Sequence, residues 1–257
     1  CRFSGARKGV ELMVANDVSQ PNTGFDVATN AVTLIDAEGE PRTAAYLVPQ
    51  RNQCAKCHDR NVGPDESRIL TPIGPEARHL NRETSYDGAT HNQLQYLVDR
   101  GQLIGMPDLA EVEAAFDFRP VEENGADSVS AADLDRAARD YLDINCAHCH
   151  RADLTLPADY AGPAGSSGVQ LEYNRVYADA TGKFGVCKDP VAGGKEGYPY
   201  DVIPGNADES YLLFRIETTD SRHKMPELGR STTHQEGAQL IRSWIDQLPS
   251  ASCSPMP

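Results

Sequence analysis

Residues 130–150 read Ser130-Ala-Ala-Asp133-Leu134-Asp-Arg-Ala137-Ala138-Arg-Asp140-Tyr141-Leu142-Asp143-Ile-Asn-Cys146-Ala-His148-Cys149-His150. Leu134, Ala137, Ala138, Tyr141 and Leu142 recur at three- and four-residue spacing, which predicts a helix with one apolar face. Ser130 with an acid three positions on supplies an N-terminal cap for it. The helix runs directly into Cys146-Ala-His-Cys149-His150, where two thiols three residues apart are followed at once by an imidazole. A helix that ends in such a set is a scaffold for a bound group, and the rest of the chain is read outward from it.

The same pattern stands earlier, as Cys54-Ala-Lys-Cys57-His58. Its spacing suits covalent attachment of a c-type haem: the two thiols reach the two vinyl groups, and the adjacent imidazole lies beneath the iron. On that reading Cys54, Cys57, Cys146 and Cys149 are attachment residues, His58 and His150 are the proximal iron ligands, and the cofactors are two haem c groups. Two other chemistries use the same atoms. Thiolate pairs bind zinc, and four cysteines in two pairs can close one tetrahedral site. A thioredoxin-like redox couple also uses Cys-x-x-Cys, but it does not call for a histidine at the next position twice.

The distal ligands are read from the methionines and histidines downstream. Met225-Pro226 lies 75 residues after His150, just ahead of a predicted terminal helix, and Met225 is the distal candidate there; His223 competes with it. For the first segment Met106-Pro107, 48 residues after His58, is the candidate, with His79 as its alternative and Met13 and His91 behind them. His148 sits inside the second segment and cannot easily reach the same metal, so it is read as a surface or cofactor-edge residue.

Of the seven cysteines, Cys1, Cys187 and Cys253 fall outside these segments. Cys187 and Cys253 are read as a disulfide joining a loop to the C-terminal tail. A first-position cysteine resembles a bacterial lipoprotein cut just before its lipidated residue; an arbitrary boundary is the plain alternative. Export to the periplasm or the outer surface of a bacterium, with a possible lipid anchor on Cys1, is the expected location.

The 257 residues carry a net charge of −14. Bulk electrostatics therefore oppose binding to nucleic acid or anionic membrane and favour redox partners with basic surfaces. No apolar run approaches the roughly twenty residues of a membrane span. The expected fold is mainly α, with two cytochrome c-like haem modules, a short N-terminal β-hairpin region and long loops. Residues 1–47 alternate as strands, 48–125 form the first module and a linker rich in acid, Pro120 and Gly125, and 126–257 form the second. The segment from His58 to about residue 116 is read as mainly helical. The terminal helix is announced by Thr233-His-Gln-Glu236, a capping box, and stopped by Pro249. A loose internal repeat pairs Arg82-Glu-Thr84 with Arg230-Ser-Thr232, and Gln93-Leu94 with Gln239-Leu240.

Residues 130–250 resemble class I cytochromes c. From about Tyr46 onward the chain also looks like a bacterial family of uncharacterised secreted di-haem proteins. The stretches that carry the second likeness are Val48-Pro-Gln-Arg-Asn-Gln-Cys54, Pro72-Ile-Gly-Pro-Glu-Ala-Arg78, Asn145-Cys-Ala-His-Cys-His150 and His223-Lys-Met-Pro-Glu-Leu-Gly-Arg230. The resemblance implies a di-haem c-type cytochrome that moves electrons between periplasmic or cell-surface partners. A peroxidase-like enzyme with one five-coordinate haem, and a haem subunit of a larger surface or respiratory assembly, are the alternatives. No nucleophile, general base or substrate pocket announces itself, which favours a carrier over an enzyme.

Overall fold

A computed structural model of the chain describes residues 12–15, 30–36, 41–46, 50–61, 68–70, 72–86, 88–151, 164–175, 181–191, 197–249 and 253. Strands β1 (Leu12–Ala15), β2 (Asn30–Asp36) and β3 (Pro41–Tyr46) come first, followed by helix α1 (Arg51–His58). Strands β4 (Asp59–Asn61) and β5 (Arg68–Leu70) form an antiparallel pair, and helix α2 (Ala77–Leu80) is a single turn. Strands β6 (Glu83–Tyr86) and β7 (Ala89–Asn92) pair next and lead into helix α3 (Gln93–Asp99), capped by the Asn92 side chain. Helices α4 (Arg119–Asn124), α5 (Leu134–Leu142), α6 (Tyr211–Glu217) and α7 (Gln235–Gln247) complete the order. Among the described residues no helix is long and apolar enough to cross a membrane.

Two readings of the first half are corrected here. The stretch after His58 is not mainly helical, because Glu83 pairs with Asn92 and Tyr86 with Ala89 across a two-residue loop. In sequence Asp87-Gly88 is a tight-hairpin signal, and Gly88 takes the positive φ (82°) such a turn needs. The linker expected around Pro120 and Gly125 is not bare either, since it holds α4. Pro120 stands in the first turn of α4, where its missing N–H costs nothing, and Gly125 closes the helix at φ 81°. Proline and glycine punctuate a helix here instead of excluding one.

The chain divides into two units, one of Cys1–Lys56 with Arg215–Thr233, the other of Cys57–Phe214 with His234–Pro257. In the first, β1, β2 and β3 form an antiparallel sheet in that order, with Leu12 opposite Asp36 and Asn30 opposite Tyr46. Pro41 opens the edge strand β3, a position where a missing ladder donor is tolerated. In the second part of this unit the Arg230 guanidinium donates to the carbonyl oxygens of Arg215, Ile216 and Thr218. These carbonyls at the end of α6 have no onward helical partner, and one side chain supplies it.

The second unit is organised by the crossing of α5 and α7. Leu134, Ala137, Ala138 and Leu142 of α5 are buried, as are Leu240, Ile241, Trp244 and Ile245 of α7. Each of the large side chains contributes about 1.5–3 kcal/mol by leaving water. Ala137 and Ala138 keep the α5 surface low, and Trp244 Nε1 donates to Asp135 Oδ1 at 3.0 Å. Gly237 lies against the Tyr141 ring so closely that a Cβ there would overlap it, and the Tyr141 hydroxyl meets His234 Nδ1 at 3.2 Å. α7 stops because Leu248, which precedes Pro249, turns to extended backbone (ψ 138°).

The caps differ in detail from the sequence reading. α7 begins after His234 with no side-chain cap, and Thr233 donates to the Glu217 carbonyl at 2.7 Å instead. Ser130 bonds the Asp133 carboxylate at 2.6 Å one turn ahead of α5. Cys187 and Cys253, 66 residues apart, are bridged.

Gly237→Ala is expected to lower stability by about 1–3 kcal/mol through overpacking against Tyr141, read as a lower urea midpoint with an unchanged slope. Replacing Cys187 and Cys253 together by serine should cost about 2–4 kcal/mol, since the closed loop is long; calorimetry under non-reducing conditions checks it.

Candidate functional site

The apolar face of α5 ends at Leu142, and the helix continues as a π-turn over Asp143–Ala147. Such turns widen the helix by a residue and recur at functional sites. Asp140, Asp143, Cys146 and Cys149 follow at three-residue intervals, so each acid or thiol stands about one turn from the next. The backbone N–H groups of Cys149 and His150 both donate to the Cys146 carbonyl, at 3.1 and 2.9 Å, which folds the segment into a single turn. Its outer edge is held by Ala164 N–H on the Cys149 carbonyl and Leu171 N–H on the His150 carbonyl. His150 Nδ1 meets the Ser167 hydroxyl at 3.2 Å, a bond that fixes the ring.

The carboxylates are buried, Asp140 completely and Asp143 at 5 % exposure. Like charges one turn apart inside a protein need a cation, and Arg78 supplies it. Its guanidinium bonds Asp140 Oδ1, lies 3.5 Å from Asp143 Oδ2, and stacks 3.4 Å over the Tyr173 ring. Backbone N–H groups complete the satisfaction: Phe116 donates to Asp140 at 2.7 Å and Tyr173 to Asp143 at 3.0 Å. His79 Nε2 lies 3.0 Å from Asp143 Oδ2, while the Glu76 N–H reaches His79 Nδ1 at 3.4 Å.

Glu76, His79 and Asp143 bring one ligand atom each within 4.8 Å of the others, the grouping of a metal site. The hydrogen bonds fit a different role. A neutral ring that accepts at Nδ1 carries its proton on Nε2 and donates it to Asp143. A metal on Nε2 would require the proton on Nδ1 and break the bond from Glu76. With Arg78 already facing Asp143, the cluster is an ion-pair network. Burial first, and then the Asp143 charge, raise the Glu76 carboxyl above its ordinary range, against His79, Arg78 and Arg151.

Cys146 is pushed up to about 12 by burial, then by the neighbouring Cys149 and Asp143. A nucleophilic thiol needs the reverse environment, at a helix N-terminus or beside a cation. Cys146 instead follows the carbonyl end of α5, so the thioredoxin-like reading finds no support at this segment.

The first segment lies on α1, which puts Cys54 and Cys57 one turn apart. Cys54 is exposed and its thiol reaches the Gln50 carbonyl at 3.7 Å, while Cys57 and His58 are half-buried. His58 stands near His148: burial chiefly, then Arg151 and His58, lower the His148 pKa. His148 is thus half-buried, with its Nδ1 enclosed, and is not a surface residue.

Among the other candidates, the Met225 stretch meets the first segment, where Lys56 Nζ donates to the Glu227 carboxylate at 3.3 Å. Met225, half-buried, donates its backbone N–H to the Arg215 carbonyl at 2.8 Å, and His223 beside it is buried. Met106 is half-buried in the stretch after α3, and His91 is on β7 with its ring 5.5 Å from Tyr96. Met13 is on β1, and Cys1 lies outside the described residues. Sequence reading missed Arg78, Asp140, Asp143 and Tyr173. The available signal was two acids at three-residue spacing beside an apolar helical face, immediately before the thiols.

Residues 4–56 match the family described as DNA/pantothenate metabolism flavoprotein C-terminal domain, about a fifth of the chain. Comparison with curated proteins and with solved structures finds no match. The matched family is a flavoprotein family, not a cytochrome one. That finding corrects the resemblance to class I cytochromes c and to secreted di-haem proteins. It equally corrects the electron-carrier function with its peroxidase-like and assembly-subunit alternatives, and the two haem c groups.

In metal-free protein Cys146 should remain a thiol through mildly alkaline pH, with its alkylation rate still rising towards pH 12, as followed by mass spectrometry of the Cys146 peptide. The folded thiol binds its proton more tightly than the unfolded one. This contribution to stability is therefore fully present below about pH 9 and is lost as pH rises towards 12.

Proposed function

We propose that this chain is an exported metal-binding protein whose two Cys-x-x-Cys-His segments each present thiolate and imidazole ligands to a divalent transition metal of the zinc class. The observation that carries the reading is the second segment. Two thiols and an imidazole occupy one tight turn at the end of a buried helix, and a hydroxyl fixes the imidazole at Nδ1. That is the way metal-ligating histidines are oriented. Soft thiolates with imidazole suit zinc, and metal uptake would draw the donors of the turn together, since among the described residues the ligand atoms that already lie within 4.8 Å of one another are those of Glu76, His79 and Asp143. Because the Cys146 thiol must ionise to ligate, metal uptake releases protons and weakens as pH falls.

The Cys187–Cys253 bridge supports an oxidising compartment, and the charge of −14 favours partners with basic surfaces. In such a compartment, metal ligation also keeps the paired thiols of each segment from oxidising.

A second reading rests on the match over residues 4–56: a flavoprotein-type role for the N-terminal segment, with a flavin nucleotide as its ligand. One preparation tests both. Protein secreted into the periplasm and purified without chelator should hold about two zinc-class ions, one per segment, by elemental analysis, with no visible absorption. Replacing Cys146 and Cys149 by serine should remove one of them. Metal-free protein with an intense blue-violet absorption band would overturn the metal reading. A flavin fluorescence released on denaturation would favour the second reading, and its absence would remove it.

A further inference from the structure

We infer that Arg78 is a positioning residue for the second segment, clamping the π-turn that sets Cys146 and Cys149. Arg78 ends the stretch Pro72-Ile-Gly-Pro-Glu-Ala-Arg78. It lies 62 residues before Asp140, yet its guanidinium is the cation between two buried carboxylates. The carboxylates stand three residues apart on the two sides of the change from α5 to the π-turn. One terminal nitrogen, Nη1, reaches both carboxylates, so the widened geometry is tied across its first turn.

Arg78 is itself held from three sides. Tyr173 lies under it, its backbone carbonyl accepts from Ala115 N–H at 2.9 Å, and the next residue, His79, makes its own bond to Asp143. Asp143 also accepts from Tyr173 N–H, so the loop covering the segment closes on the same carboxylate. Without the cation, two buried negative charges remain on one helical turn. The inexpensive relief is to turn one of them outward. Turning Asp143 outward unwinds the π-turn and carries Cys146 with it.

What the thiols hold rests on the function proposed above; their placement does not, and the two are tested apart. Arg78→Gln and Arg78→Lys are compared with the native chain in metal-free form at neutral pH. The readouts are alkylation of each cysteine by mass spectrometry, and zinc uptake by competition with a chromogenic chelator. Arg78→Gln should raise the alkylation rates of Cys146 and Cys149 by about tenfold or more, the cost of breaking a hydrogen-bonded charge, while Cys54 reacts as before. Arg78→Lys keeps the charge but not the flat stacking on Tyr173 and should fall between the two. Zinc should bind the second segment more weakly in the same order.

Native-rate alkylation of Cys146 and Cys149 in folded Arg78→Gln overturns the inference. If that variant does not fold, native-rate alkylation in Arg78→Lys overturns it. A rise at all four thiols together marks general loosening and also overturns it. A native chain that binds no zinc, with the alkylation order intact, rejects the proposed function and leaves the positioning role standing.

Discussion

Two carboxylates buried on adjacent turns of one helix, Asp140 and Asp143, place the strongest demand in this molecule. Their charges cannot be hidden alone, and the α5 arginines one turn back, Arg136 and Arg139, donate to the carbonyl oxygens of Ala114, Tyr173 and Arg175 instead. Arg78 answers from elsewhere in the chain, and with it come His79, Tyr173 and the backbone of residues 115 and 116. The stretches before β6 and after the second thiol segment are gathered around that one requirement. Removing a partner from such a network leaves an uncompensated buried charge, which is far costlier than never having built it.

The α5–α7 crossing works by the opposite principle. Its polar bonds, Trp244 on Asp135, Tyr141 on His234 and Gln247 on the Ala131 carbonyl, are at its edges, and its centre relies on the absence of side chain at Gly237 and the small size of Ala137 and Ala138. One half of the second unit is thus fixed by shape and the other by charge. The thiols stand where the two meet: α5 enters the crossing through its apolar stripe and leaves it through its acids.

How much of this the sequence discloses depends on the range of the interaction. The stripe of α5, the stop at Pro249, the paired Cys187 and Cys253 and the two thiol segments are local patterns, and local patterns can be read. The hairpin of β6 and β7 was equally local, but its Asp87-Gly88 signal lies in a stretch whose polar, non-periodic residues resemble a loose helix. Pro120 and Gly125 mislead for a different reason, since the same two residues that break chains also begin and end helices. The Arg78 network is not local. Nothing in residues 140–143 says which of the chain's arginines will meet them, and the resemblance built on the thiol segments did not survive comparison over residues 4–56.

The bridge between Cys187 and Cys253 turns the C-terminal quarter of the chain into a closed ring. Both α6 and α7 lie on that ring, and so does the Arg215–Thr233 segment assigned to the first unit. A single protease cut anywhere between the two cysteines would therefore yield two polypeptides that remain covalently one molecule, and they would separate only on reduction. In a compartment where proteins are trimmed but not reduced, the ring lets this quarter be nicked without being shed.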